Sequence, residues 1–260
     1  MIVRVYSSAL LGVDGIEVEV EVSAFNAEKP AINIVGLPDA AVRESSQRVT
    51  SALTTSALSW ADGVKTINLA PADLKKEGPR FDLPIALALA ETAGAECIIE
   101  PERYSMIGEL ALDGMVRPVR GVLSMALEAK RRGRTRLIVP AANAAEAAVV
   151  EGLEVYGVDN LRQAWDFITG QRVLAPYELD RKRLFDTRRH YEVGLEDVRG
   201  QHQVKRALEV AAAGGHNLLM VGPPGTGKSM IAKRLPTILP DLTEAEAIDS
   251  TKVHSISGLL

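Results

Sequence analysis

One stretch constrains this chain more than any other: His216-Asn217-Leu218-Leu219-Met220-Val221-Gly222-Pro223-Pro224-Gly225-Thr226-Gly227-Lys228-Ser229. Its last eight residues fit G-x-x-x-x-G-K-[ST], the spacing of a phosphate-binding loop. Each position asks for its residue type. Gly222, Gly225 and Gly227 let the backbone turn tightly and bring N–H groups against phosphate oxygens. Pro223, Pro224 and Thr226 complete the loop between them. Lys228 places a point charge on the β- and γ-phosphates, and Ser229 offers its hydroxyl to Mg²⁺. The ligand set of Gly222 to Ser229 is therefore expected to bind ATP, with Ser229 as the metal-side residue. The flanks agree. Leu218–Val221 is an apolar run of strand type, and Lys228–Leu235 reads as a helix closed by Pro236. A glycine turn with no nucleotide is the competing reading, and the order strand, loop, helix speaks against it.

The rest of the chain reads as α/β. Ile16-Glu17-Val18-Glu19-Val20-Glu21-Val22 alternates strictly, which gives a strand with one apolar and one acidic, solvated face. Ala31–Val35 is a second strand. Gly36-Leu37-Pro38-Asp39 then turns into a helix, with Asp39 as its cap and Val42, Val49 and Leu53 on its buried side. Lys65–Ala70 is a further strand, followed by a polar loop from Pro71 to Asp82. Asp82 is placed to cap the next helix, whose small and apolar residues call for burial between layers. Asp113-Gly114 between Met106–Leu112 and Met115–Val119 is a hairpin signal. Then come a helix over Val122–Arg132, a strand at Leu137–Val139, a helix over Asn143–Glu151, a strand at Val155-Tyr156 and a helix over Leu161–Ile168. Gly200–Ala213 reads as a helix ahead of the phosphate-loop strand.

Composition separates the function classes. The chain has 260 residues, 47% hydrophobic and 25% charged, as soluble folded proteins do. Aromatics are 4%, so stacking platforms for single-stranded nucleic acid are scarce. The net charge of −4 gives no overall pull towards DNA, so contact with it would need a local patch. The single cysteine, Cys97, excludes an internal disulfide and reads as buried filler. The start of the chain has no basic and apolar leader, and no run is long enough to span a membrane, so a cytoplasmic protein is expected. Residues 1–170 are expected to form one α/β domain, 171–193 a linker, and 194–260 the first part of a nucleotide-binding module. The linker carries Arg172, Arg181, Lys182, Arg183, Arg188, Arg189 and His190, interleaved with Glu178, Asp180 and Asp186, and reads as solvated.

Two stretches carry a family resemblance. Asp197-Val198-Arg199-Gly200-Gln201, Lys205-Arg206-Ala207-Leu208-Glu209 and Ala211 through Met220 resemble the entry to the AAA+ module of magnesium-chelatase-like ATPases. Ala232-Lys233-Arg234-Leu235-Pro236 and Leu239-Pro240 continue the likeness. The front part, through Val35-Gly36-Leu37-Pro38 and Gly108-Glu109-Leu110, resembles the front domain of the ComM/YifB branch of that family. The resemblance implies a fold similar to the C-terminal domain of Lon protease, followed by the N-terminal part of a P-loop AAA+ module. It also implies assembly into a hexameric ring with ATP at subunit interfaces, and DNA branch migration in the recombination of incoming DNA.

Two departures from the pattern bear on activity. Lon-type peptidases carry a serine after a Gly-Pro pair and an activating lysine further on. Here Arg80 follows Gly78-Pro79, and Leu123 falls where the lysine would be, so the resemblance implies the fold without peptidase chemistry. Ser124 lies nearby without a base. Second, the residues from Met230 to Leu260 hold no apolar strand ending in an acidic pair, no sensor and no arginine finger. The chain reads as cut short, with no assignable catalytic residue. Three functions follow as expectations: an ATP-driven DNA motor subunit, a chelatase subunit serving metal insertion into a porphyrin, or a non-catalytic partner-binding module.

Overall fold

Val3, Val5, Val18, Val20 and Val22 are buried on two long strands, β1 (Ile2–Leu11) and β2 (Asp14–Phe25), which pair antiparallel from Ile2↔Ser23 to Leu11↔Asp14. The alternation sends every second side chain to the core, each worth roughly 1.5–3 kcal/mol on full burial. The computed structural model describes residues 1–180 and 193–260. The basic positions Arg181, Lys182, Arg183, Arg188, Arg189 and His190 of the expected linker, and its Asp186, lie outside the described residues. The described chain divides into two compact units: Met1–Leu179 with Asp249–Leu260, and Asp180–Ile248.

In the front unit a four-stranded sheet runs in the order β1-β2-β4-β3, with β3 at Ala31–Val35 and β4 at Val64–Ala70. β2 and β4 are antiparallel, and β3 and β4 parallel. The crossover between them is α1 (Ala40–Thr55), capped as expected by Asp39, whose carboxylate accepts from the Val42 N–H at 2.8 Å. Gly36, at φ +97°, has no room for a side chain, since a Cβ there would come within 2.1 Å of the Leu69 carbonyl oxygen.

α2 (Asp82–Glu91) is buried on all sides from Asp82 to Ala90, as a helix between layers must be. A second sheet, β5 (Tyr104–Met106), β8 (Arg136–Pro140) and β9 (Glu154–Val158), is all parallel in the order β5-β8-β9. It separates two apolar clusters. Ile138, Tyr156 and Val158 face the one that contains α2, while Leu137, Val139 and Val155 face the one built around α3 (Val122–Arg131). The Asp113-Gly114 hairpin is present, but its arms β6 (Glu109–Leu110) and β7 (Val116–Arg117) are two residues each. The Val116 N–H turns away to the Asp159 carbonyl, and Pro118 ends the ladder. α5 (Leu161–Ile168) begins on the Asn160 cap.

Several expectations need correction. Asn143–Glu151 forms only α4 (Ala144–Ala147) after a short turn of tighter helix. Cys97 is exposed, because Ile98 alone of its neighbours turns inward. The acidic face of β2 is half-buried rather than solvated. Arg134 lies over the Tyr6 ring at 3.5 Å and clasps Glu17, while Arg4 and Asn68 hold Glu21. Asp82 is no cap. Its carboxylate is fully buried and receives the Ser45 hydroxyl, Arg48 Nε at 2.7 Å and the Leu110 N–H at 3.3 Å. Lys76, in the loop read as polar, is also fully buried and donates to the Pro71 carbonyl.

The second unit has a small core of Leu195, Val198, Leu208 and Ile231, with Val204, Met220, Leu235 and Ile238 packed against it. Its main helix is α6 (His202–Gly214), ended by Gly215 in the left-handed conformation. α7 (Lys228–Ala232) and α8 (Glu244–Ser257) follow, and α8 is divided between the two units. Among the described residues no helix is long and apolar enough to cross a membrane.

Candidate functional site

The Gly222–Ser229 loop hangs from two anchors in the second unit. Met220 packs on the small core before it, and Ile231 is buried in that core after it. Gly225 at φ +83° and Gly227 at φ +81° hold the turns that any other residue would strain. α7 starts directly from Gly227, and the Ile231 N–H closes back on the Gly227 carbonyl at 2.9 Å.

Lys228 is folded over the loop. Its Nζ donates to the carbonyls of Gly222 and Pro223, both at 2.7 Å, and to Thr226 Oγ1 at 3.2 Å. Thr226 in turn donates to the Pro223 carbonyl at 3.0 Å. The ammonium is thus held at the mouth of a ring closed by the backbone, and the loop itself is exposed. Ser229 sits exposed on the first helical turn. Gly222 is open enough that a Cβ there would meet only Thr226 Oγ1 at 3.5 Å and Lys228 Nζ at 4.0 Å.

Two parts of the expected flanks differ. Leu218–Val221 forms no strand; Leu219 and Val221 are 85% and 87% exposed. A strand exists only as a ladder, and no described strand lies in this unit to pair with it. The helix after the loop ends at Ala232, because Arg234 turns aside to donate to the Gly194 carbonyl at 3.0 Å and Pro236 follows. The carboxylates after the loop behave as structure. Thr243 and Glu246 form a reciprocal cap at the start of α8, and Asp249 pairs with Lys252 at 3.0 Å. Among the described residues no three His, Cys, Asp or Glu side chains gather as a metal site would require.

Arg80 and Leu123, the two positions where the resemblance would set a peptidase pair, both lie in the front unit. Gly78-Pro79-Arg80 forms a tight turn, and Gly78 is tied to Asp39 by an N–H to Oδ2 bond of 3.1 Å. The Arg80 guanidinium reaches Met125 Sδ at 3.8 Å on α3, the helix that carries Leu123, and burial lowers its pKa. Leu123 is fully buried in the apolar cluster around α3. Ser124 donates to the Val13 carbonyl at 2.7 Å, a structural bond. The Ser45–Asp82–Arg48 network beside this turn was invisible in the sequence. Its only sign was an acid opening a wholly apolar helix.

Two family models match. "Subunit ChlI of Mg-chelatase" covers residues 18–143, and "Magnesium chelatase, subunit ChlI" covers residues 194–260. The uncharacterized protein YifB of Salmonella typhimurium is 43% identical over 253 residues, 97% of this chain and 49% of YifB. The competence protein ComM of Haemophilus influenzae is 40% identical over 253 residues, again 97% of this chain and 49% of ComM. The mitochondrial Lon protease homolog of Homo sapiens is 33% identical over 96 residues, 35% of this chain and 10% of that protein. The chain therefore spans about half the length of the curated relatives YifB and ComM. These matches across both units place the chain in the magnesium-chelatase-like family that includes YifB and ComM.

Proposed function

We infer that this chain binds ATP with Mg²⁺ through Gly222, Pro223, Pro224, Gly225, Thr226, Gly227, Lys228 and Ser229, as part of an ATP-driven motor acting on DNA. The observation that carries this reading is the placement of Lys228. Two backbone carbonyls hold its Nζ at the loop's mouth, so a charge awaits the phosphates without further ordering of a long side chain. Bound ATP would supply the phosphoanhydride whose cleavage drives a motor. Gly222 to Gly227 would set N–H groups on the phosphate oxygens, Lys228 would offset their charge, and Ser229 would turn its hydroxyl to the metal.

The domain reading supports this function: a Lon-like, non-peptidase α/β domain over 1–170, a linker over 171–193 and the first part of an AAA+ module over 194–260. In the whole protein the module would assemble into a hexameric ring. Weak basic patches would then act together on DNA, which one subunit of net charge −4 does not attract. The printed name of ComM, a competence protein, fits handling of incoming DNA and branch migration during its recombination. A cytoplasmic location follows from that role.

The descriptions of both family models favour a second reading, a chelatase ATPase subunit serving metal insertion into a porphyrin. ATP turnover of the whole protein decides between them. Stimulation by branched DNA is expected. Stimulation by a chelatase partner subunit and not by DNA would reverse the order.

A further inference from the structure

We propose that the front unit carries a docking surface for a short helix, built from Gly121, Glu146 and Asp14, and that its occupant is the C-terminal half of α8, held as a releasable latch. The surface then decides whether the chain stays helical beyond Ile248. This inference stands apart from nucleotide binding and does not depend on it.

The sequence of α8 is the first observation. Glu244-Ala245-Glu246-Ala247 are strong helix formers, and Thr243 and Glu246 cap them. In Asp249-Ser250-Thr251-Lys252-Val253-His254-Ser255-Ile256-Ser257 only Lys252 is one of the strong formers. The others favour caps, turns or strands. Yet α8 runs unbroken to Ser257, where Gly258 takes the left-handed conformation and the Leu259 N–H closes on the His254 carbonyl at 3.0 Å. A helix of this length is marginal by itself in water. Its second half therefore draws its order from what it packs against.

The seat is the second. Asp249–Leu260 belongs to the front unit. Ser255 is the one buried residue of α8. Its hydroxyl donates to Glu146 Oε1, and its carbonyl accepts the Gly121 N–H at 3.2 Å. These contacts meet in one place, because Glu146 Oε1 also accepts the N–H of Leu123, two residues after Gly121, at 3.0 Å. Asn143 steadies Glu146 from its other oxygen at 3.1 Å. One turn earlier in α8, Lys252 reaches Asp14 at the tip of the β1–β2 hairpin at 3.4 Å. Gly121 has to be bare, since a Cβ there would lie 3.2 Å from Ile256 Cγ1 and 2.5 Å from Leu10 Cδ1. Lys252, Ser255 and Ile256 stand at i, i+3 and i+4, on one face of the helix. The surface answers that face with an acid, a carboxyl acceptor and a glycine.

The third is how lightly the helix is held. Neither apolar cluster of the front unit includes a residue of α8. A cavity of about 490 Å³ stays open beside the seat, lined by Leu11, Asp14, Leu127 and Lys252 among others. A segment fastened by a few polar bonds, with little apolar burial, opens at a lower free energy than the fold that carries it. That is the property of a latch and not of a core helix.

The test is residue-resolved hydrogen exchange of the 260-residue chain and two variants, Ser255→Ala and Ser257→Ala. Both substitutions raise helix propensity by the same amount. Only Ser255 donates to the front unit; the Ser257 hydroxyl returns to the Val253 carbonyl of its own helix. In Ser255→Ala the amides of residues 253–257, and the Gly121 amide that donates to Ser255, should exchange about tenfold faster or more. Exchange over β4, residues 64–70, should not change. In Ser257→Ala exchange over 253–256 should be equal to the wild type or slower. Unchanged or slower exchange over 253–257 in Ser255→Ala, as propensity alone predicts, would overturn the proposal. So would equal acceleration in the two variants. Faster exchange of β4 together with α8 would overturn it as well, because the segment would then be part of the unit's core and not a latch.

Discussion

Glu128 shows how a single residue's surroundings set its charge. Its side chain is almost fully buried on α3, which alone would raise its pKa. Arg131 Nε at 2.5 Å, Arg132 Nε at 2.9 Å and the Glu17 N–H at 3.2 Å outweigh that burial and hold it below the ordinary carboxylate value. A carboxylate lowered on folding stabilises above its unfolded pKa, and that stability is lost as the pH falls through the folded value. Both arginines are about half exposed or more, so the contribution is modest. Glu128→Gln should cost about 1–2 kcal/mol at neutral pH. The gap to the wild type should close below roughly pH 4. Urea unfolding at pH 7 and pH 3 measures both, and an equal gap at the two pH values would contradict the assignment. At this scale the sequence misled where a side chain had two honest uses. Asp82 has the residue type and position of a helix cap, and only the arrival of Ser45 and Arg48 from α1 makes it a buried carboxyl group, with burial raising its pKa against the pull of these two partners. Cys97 sits among apolar neighbours, but which way an irregular segment turns is not written in its composition.

The contact of α1 with α2 is fastened by that same buried ion pair. Removing one partner strands the other in the interior. Asp82→Ala should therefore destabilise the chain by about 3–5 kcal/mol, whereas Arg48→Met in the same molecule should recover a large part of the loss. Chemical denaturation of the two single variants and the double variant checks this, and simple additivity would show that the pair is not coupled. Elements with strong local signals were legible. The alternation of Ile16–Val22, the Asp39 cap, the Asp113-Gly114 turn and the helix over Leu161–Ile168 are all in place. Elements that depend on distant partners were not. Leu218–Val221 has the composition of a central strand, but a ladder needs neighbours. Asn143–Glu151 has helical composition, yet the chain leaves the helix after Ala147 to reach β9.

The described chain comprises a mixed α/β front unit and a smaller unit that carries Gly222–Ser229, in a family whose members YifB and ComM are about twice this length. The spacing of Gly222 to Ser229 could be read from the sequence because its residues are contiguous, whereas its flanks could not, since Leu218–Val221 forms no strand in the described structure. The buried Ser45–Asp82–Arg48 network could not be read either, because it joins residues from two helices that only the assembled fold brings together. Phosphoryl transfer needs the phosphates held, the metal coordinated, a water positioned and the leaving charge stabilised. On the proposed reading, Gly222 to Ser229 would supply the first and part of the second. The 260-residue chain should accordingly bind ATP yet release phosphate near the uncatalysed background. DNA-stimulated release that vanishes in Lys228→Ala would show that these residues alone suffice for turnover. The central claim is nucleotide binding at Lys228, and calorimetric titration of ATP with Mg²⁺ into the wild type and Lys228→Ala tests it most directly. Loss of a charge-assisted contact of about 1.5–3 kcal/mol predicts roughly a 10- to 150-fold weaker complex in the variant; equal affinity in the two proteins would contradict the account.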